Sequence, residues 1–287
     1  MTDGSPDSWS KLAIIAGGGE IPLLIAEGER SAGRPPFIVE VDGFADQNFS
    51  HFERARFPVT KVGGMQKAMM QAGCDAVCFI GRITRPDFSS LIGLDGAAMA
   101  LLPKVAQAAR YGDDALMRVI VDSFEAKGLR AIGADVVMSS LVPSPGVLGV
   151  VQPGEKDQAD IRKALKIARA MGEYDIGQGA VVANGLVLAV EAQEGTDAML
   201  ARVAGLPEDI RGTPQSRSGV LAKTPKPQQE RRIDMPTIGT ITIDGAERAG
   251  LAGIAVRAGN ALIPRMTETI AAADAAGLFV YAAEADE

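Results

Sequence analysis

The stretch Leu12-Ala13-Ile14-Ile15-Ala16-Gly17-Gly18-Gly19-Glu20-Ile21-Pro22 decides how the chain begins to fold. Five apolar residues read as a short buried strand and three glycines as a tight turn. The helix expected from Ile21 to Ala32 carries Pro22 in its first turn, where a missing N–H is harmless. A second strand, Phe37 to Val41, follows. The unit then recurs: a strand near Phe57 to Val62, a helix from Met65 to Ala72, and a buried run from Ala76 to Ile80. Helices Ala97 to Arg110 and Asp113 to Lys127 precede a strand at Leu129 to Ile132. Strands alternating with helices imply a parallel sheet covered by helices.

The chain has 287 residues, enough for two domains at about 150 residues each. Apolar residues make up 47%, sufficient for two packed cores. Between Pro143 and Gly154 six of twelve residues are Pro or Gly, the strongest composition break, and 143–156 reads as a linker. Beyond it a helix is expected from Asp157 to Met171, with Gly172 as its stop. Strands are expected at Ala180 to Val190, Val220 to Ala222, Ile254 to Val256 and Phe279 to Ala282. Helices are expected near Asp197 to Val203, Thr240 to Ala249 and Met266 to Ala275. Residues 1–10 are polar and aperiodic and read as a flexible tail. Two α/β domains leave a cleft, a common place for a ligand.

One histidine, His51, argues against zinc hydrolases, His-rich two-metal phosphoesterases and serine triads. Cys74 and Cys78 sit in an apolar run and read as buried thiols. The absence of a signal-peptide pattern points to a reducing cytoplasm. The longest apolar stretch, Ala180 to Val190, is broken by Asn184 and Gly185, so no membrane span is expected. A net charge of −7 argues against nucleic acid as a partner.

Four segments could carry chemistry. In the glycine turn, Gly18 and Gly19 could offer N–H groups to a phosphate. A dinucleotide fingerprint would want glycine where Pro22 stands, although an acid, Glu40 or Asp42, does end the second strand. A purely structural turn is the alternative. In Gly81-Arg82-Ile83-Thr84-Arg85-Pro86-Asp87, Arg82 could donate to a phosphate or sugar oxygen, or simply pair with Asp87. After Tyr174-Asp175-Ile176-Gly177-Gln178-Gly179, carboxylates and a threonine gather at a strand end. Glu191 continues that apolar strand and could face a cleft, whereas Thr196 or Asp197 could be a helix N-cap. Finally, Arg211 to Arg232 holds six basic residues and one acid, a net +5 in an acidic chain. Lys223 ends a short apolar strand there, Lys226 follows, and Asp234 lies in the next apolar run. A carboxylate so placed could hold a divalent cation against a phosphate while lysines neutralise the remaining charge. Hard oxygen ligands fit Mg²⁺.

At these residues the chain resembles the LpxI family of UDP-2,3-diacylglucosamine pyrophosphatases. The matching segments are IIAGGGEIP (14–22), FIGRITRP (79–86), YDIGQGAVVANGLVLAVEAQEGTDAML (174–200), GVLAKTPKPQQERRIDMPTIG (219–239) and AGIAVRAGNALI (252–263). A bulkier or hydroxyl residue would be expected after Gln178, where Gly179 and Ala180 stand. The resemblance implies an α/β protein with a Rossmann-like parallel-sheet domain over 11–142 and a mixed α/β catalytic domain over 157–287. It implies Mg²⁺-dependent hydrolysis of UDP-2,3-diacylglucosamine to UMP and 2,3-diacylglucosamine 1-phosphate in lipid A biosynthesis, with water attacking the sugar-side phosphorus. It also implies cytoplasmic residence and peripheral contact with the inner-membrane surface; a homodimer is compatible with it.

The key acid of the family corresponds to Asp234, assigned as a Mg²⁺ ligand or water-orienting group. Lys223 and Lys226 would neutralise phosphate oxygens. Gln178, Glu191 and Thr196 would contact uracil, ribose or metal-bound water, and Gly18, Gly19 and Arg82 the nucleotide or glucosamine. Acyl chains could lie against Met65, Met69, Met70, Leu91, Ile92, Met99, Leu101 and Leu102, which otherwise read as core. An NAD-linked oxidoreductase and a non-catalytic lipid or nucleotide carrier are the rival readings.

Overall fold

The computed structural model describes residues 8–84, 93–108 and 113–284. They divide into two compact units. The first runs to Ser139 and includes Glu230–Asp234; the second comprises Ser140–Gln229 and Met235–Glu287.

The first unit is built on five parallel strands, β1 (Leu12–Ala16), β2 (Phe37–Val41), β3 (Glu53–Phe57), β4 (Ala76–Ile80) and β5 (Arg130–Ala131). Their spatial order is β3-β2-β1-β4-β5. The connecting helices are α1 (Ile21–Ser31), α2 (Val62–Gln71), α3 (Gly96–Ala108), α4 (Asp113–Glu125) and the single turn α5 (Ala134–Val137). Alternate strand residues separate the two faces. Ala13, Ile15, Val39, Val77 and Phe79 pack with Met65 and Met69 of α2 and Val121 and Phe124 of α4. Ile14, Ile38 and Cys78 are buried between them in sequence and so point to the other face, where α1 packs on β1 and α5 on β4.

The third strand lies at 53–57, not at Phe57 to Val62. Its sequence, Glu-Arg-Ala-Arg-Phe, alternates charged and apolar residues from Arg54 onward, as suits an edge strand. Ala55 and Phe57 pack on the core, whereas Arg54 and Arg56 reach Glu40 on β2. The expected tail is tied down where described: Trp9 Nε1 donates to Glu29 at 3.0 Å, and the Ser10 amide to Asp75. Cys74 and Cys78 are free, buried thiols, and burial pushes Cys74 up to about 11 and Cys78 up to about 12. Arg85, Asp87, Leu91 and Ile92, together with Arg110, lie outside the described residues.

The second unit is a mixed six-stranded sheet, β6 (Gly146–Val147), β7 (Gly179–Ala183), β8 (Leu186–Val190), β9 (Val220–Lys223), β10 (Gly253–Arg257) and β11 (Phe279–Ala283). The order is β6-β11-β10-β9-β7-β8, with β9, β10 and β11 parallel. One face packs α7 (Gly195–Ala204), α8 (Thr240–Arg248) and α9 (Met266–Ala275) against Val181, Leu221, Ile254 and Val280. The other face, with Val182, Val220, Ala222 and Phe279, is covered by α6 (Glu155–Glu173) through Ile161, Ala164 and Leu165.

Three expectations change here. Ala180 to Val190 is two strands of a hairpin, turned by Asn184 and Gly185, both at positive φ. The Asp160 carboxylate accepts both turn amides at 2.8 Å. The stretch read as a linker contributes β6 to the sheet edge, and the Leu148 amide donates to the Val280 carbonyl. Gly172 does not stop α6, which runs on to Glu173 and closes in a Schellman motif with Asp175 in the left-handed region. The Asp175 amide donates to Gly172 O and the Ile176 amide to Met171 O. Gly172 serves close approach instead: a Cβ there would meet the Lys226 Cα at 3.0 Å.

Candidate active site

In the first unit the glycine turn leaves β1 at the point where strand order reverses, next to the carboxyl end of β4. That is the usual ligand crevice of open α/β sheets. Here backbone fills it. The Gly17 amide donates to Ile80 O, the Gly18 amide to Arg82 O, and the Arg82 amide back to Gly18 O. A Cβ on Gly17 would stand 2.8 Å from the Gly81 and Arg82 backbone, so glycine is required for this contact. The Gly19 amide donates to the Asp46 carboxylate at 3.0 Å. A hydrogen bond from Gln47, the Gly19 amide and the charge of Arg82 hold the Asp46 carboxyl below the usual range. The amides expected of Gly18 and Gly19 for a phosphate are therefore both engaged. Arg82 keeps an exposed side chain.

Glu40 is no ribose reader, because it is buried and bound by Arg54 and Arg56. His51 is exposed near the amino ends of β1, β2 and β3, in a cavity of about 500 Å³ that also meets Lys11, Arg34 and Glu53.

Asp234 belongs to the first unit. Its amide and that of Ile233 both donate to Glu230 O, closing a tight turn. Ile233 packs on the core of the first sheet, and Arg232 donates to Glu125 at 2.7 Å and to Glu230 at 2.8 Å. That hydrogen bond from Arg232 outweighs burial and holds Glu230 below the ordinary carboxylate range. Asp234 itself is exposed.

The second unit gathers three expected residues. Lys223 ends β9 and shares the face of Leu221; it is 5% exposed. Its Nζ lies 2.7 Å from Thr196 Oγ1, and Thr196 Oγ1 lies 2.9 Å from Glu191 Oε1. Thr196 is thus not a helix N-cap: the cap of α7 is Glu194, and the threonine hydroxyl faces Glu191 and Lys223. Lys223 Nζ also donates to Thr237 O at 3.4 Å. Gln178 accepts the Thr224 amide on its carbonyl, while its side-chain Oε1 is buried without a partner. Lys226 pairs with Asp175. The small residue at 179, a departure from expectation, has a cause: Glu191 fills the space a side chain would take.

The +5 stretch is not a contiguous cationic patch. Arg211 donates to the Leu206 and Gly212 carbonyls, Arg217 reaches Glu247, and Arg231 and Arg232 pair with carboxylates of the first unit. Of the other two, Lys223 reaches Thr196 and the Thr237 carbonyl, and Lys226 reaches Asp175.

Sequence models of the LpxI N-terminal and C-terminal domains match residues 11–141 and 144–281. The chain belongs to the LpxI family. The UDP-2,3-diacylglucosamine pyrophosphatase LpxI of Caulobacter vibrioides is 50% identical over 277 residues, covering 96% of this chain and 99% of that protein. Two LpxI domains thus coincide with the two sheets.

Sequence reasoning missed two residues of this LpxI chain, Asp46 and Asp175. Asp46 carries no spacing signal. Asp175 carries one, since an aspartate just past a helix end suits the left-handed cap. For Mg²⁺, no group of three or more His, Cys, Asp or Glu side chains comes together among the described residues. One exposed carboxylate, Asp234, suits an ion that keeps waters and takes further oxygens from a substrate phosphate. The donor set fits such a jointly held ion and not a protein-only cage.

Proposed function

We propose that this chain hydrolyses the pyrophosphate bond of UDP-2,3-diacylglucosamine, giving UMP and 2,3-diacylglucosamine 1-phosphate for lipid A biosynthesis. The observation that carries this is 50% identity across 96% of the chain to a protein named for that activity. The side chains suit it. Pyrophosphate hydrolysis depends mainly on positioning and charge neutralisation, and neither needs imidazole.

Lys223, buried on β9, presents an ammonium to a non-bridging oxygen, and Lys226 adds a second cation held by Asp175. Asp234 orients the attacking water and would hold Mg²⁺. When bound, that ion would neutralise phosphate charge as the leaving group departs. Arg82 serves as the nucleotide or sugar contact of the first unit.

For the acyl chains, Met65 and Met69 are core and drop out. Met70 and Met99 are 44% and 60% exposed, and Leu101 and Leu102 are half-buried on α3, which supports these four as the apolar contact. Among the described residues no helix is long and apolar enough to cross a membrane, so peripheral contact with the inner leaflet is the form proposed.

The test is to incubate the protein with UDP-2,3-diacylglucosamine and Mg²⁺, then with EDTA, and follow UMP. Release that stops with EDTA and returns with Mg²⁺ supports both activity and metal. No UMP under any condition favours a non-catalytic carrier, and binding of nicotinamide dinucleotide would favour the oxidoreductase reading.

A further inference from the structure

We infer that Thr196 and Glu191 are positioning residues that aim the Lys223 ammonium and do not themselves touch the substrate. This rests on the proposed hydrolase reading for its functional consequence, but its geometry stands apart from that reading. An ammonium is donor-only, so at 2.7 Å the Thr196 oxygen must accept from Lys223. The hydroxyl proton is then directed to Glu191 Oε1 at 2.9 Å. The chain Lys223 to Thr196 to Glu191 therefore runs one way, with cation and anion separated by a hydroxyl.

Glu191 is enclosed by the fold and is not open to an incoming ligand. Oε1 takes the threonine proton, and Oε2 is buried without a partner against Gly179. The residue is 6% exposed. The threonine oxygen is likewise occupied on both sides. Lys223 differs, because Thr196 and the Thr237 carbonyl account for two of its three donors and leave one for a phosphate oxygen. A lysine with four rotatable bonds would otherwise sample many directions. The hydroxyl and the carbonyl fix the direction of the third N–H.

Two readouts test this. The first needs no turnover: the ¹H–¹⁵N signal of the Lys223 ammonium, assigned by its loss in Lys223→Met, is expected in the wild type and in Thr196→Ser. It is expected to vanish by rapid exchange in Thr196→Val. A signal unchanged in Thr196→Val overturns the proposal, whatever the activity.

The second readout is UMP release. Thr196→Val is expected to lower kcat about 10- to 100-fold with KM changed less than about 3-fold, the signature of a misaimed group. Thr196→Ser is expected to recover most of that loss. Glu191→Gln keeps an acceptor but loses the charge, and is expected to cost about 3- to 10-fold. The double variant Lys223→Met with Thr196→Val is expected to be no slower than Lys223→Met alone, because the threonine acts only through the lysine. Additive losses, or unchanged turnover in Glu191→Gln, would refute the chain. A wild-type protein that releases no UMP would remove the hydrolase reading, and the ammonium signal would still decide the positioning claim.

Discussion

Glu191 Oε2 lies 2.5 Å from the point where a Cβ on Gly179 would stand, so the carboxylate occupies the place of the missing side chain. Gly179→Ala is expected to push Glu191 aside and to destabilise the protein by about 1–3 kcal/mol, the range for an overpacked site. Thermal melts would measure it, and an unchanged melting temperature would show that the carboxylate moves freely.

The glycine turn is also decided by close approach. Gly17→Ala places a methyl 2.8 Å from two backbone groups, which cannot give way as a flexible side chain could. A loss of at least about 1–3 kcal/mol is expected. Equal stability in urea titration would mean that β1 and β4 are not joined there as described.

Glu40 sets a pH dependence. Burial raises its carboxyl, but hydrogen bonds from Arg54 and Arg56 outweigh this and hold it below its ordinary 4.5. Its contribution is complete above the unfolded value and is lost as pH falls through the lower folded value. Replacing both arginines with Met leaves burial acting alone, at a cost of about 3–5 kcal/mol near neutral pH. The sign then reverses: the double variant gains stability as pH is lowered from 7, whereas the wild type does not. Denaturation midpoints from pH 7 to 4 distinguish them.

Asp234 is exposed in its turn, so Asp234→Asn is expected to leave stability within about 0.5 kcal/mol. Turnover is expected to fall about 100-fold or more if the carboxylate orients water and holds Mg²⁺. Comparable UMP release would withdraw its role.

Both thiols are buried and pushed far above neutral pH, to about 11 and about 12. Neither is expected to react with a disulfide reagent at pH 8 until denaturant is added. Prompt reaction in the native protein would contradict the packing.

Strand and helix periodicity was legible along most of the chain because both are set by near neighbours. The first β-turn-α unit, the helix over α6 and the buried run of β4 needed only alternation and end signals. The charged edge strand β3 escaped because an edge buries one face, and an apolar run is then the wrong signature. The motifs around Glu191, Thr196, Lys223 and Asp234 were also visible as residue types, since carboxylates and lysines beside apolar strands invite attention.

What those groups do depended on distance in space. Lys223 and Thr196 are 27 residues apart, and only the register of β9 against β7, with α7 packed on that face, brings the ammonium onto the hydroxyl. The +5 stretch dissolved into separate pairs because neighbours in sequence point to different partners. Residues 230–234 joined the first sheet through Ile233 and Arg232, a long-range packing choice that no local pattern encodes. Sequence alone determined the elements and the chemical inventory, which are fixed over short spans. Tertiary structure decided which donor meets which acceptor, because side-chain interactions fall off within a few ångströms and chain order does not measure that distance.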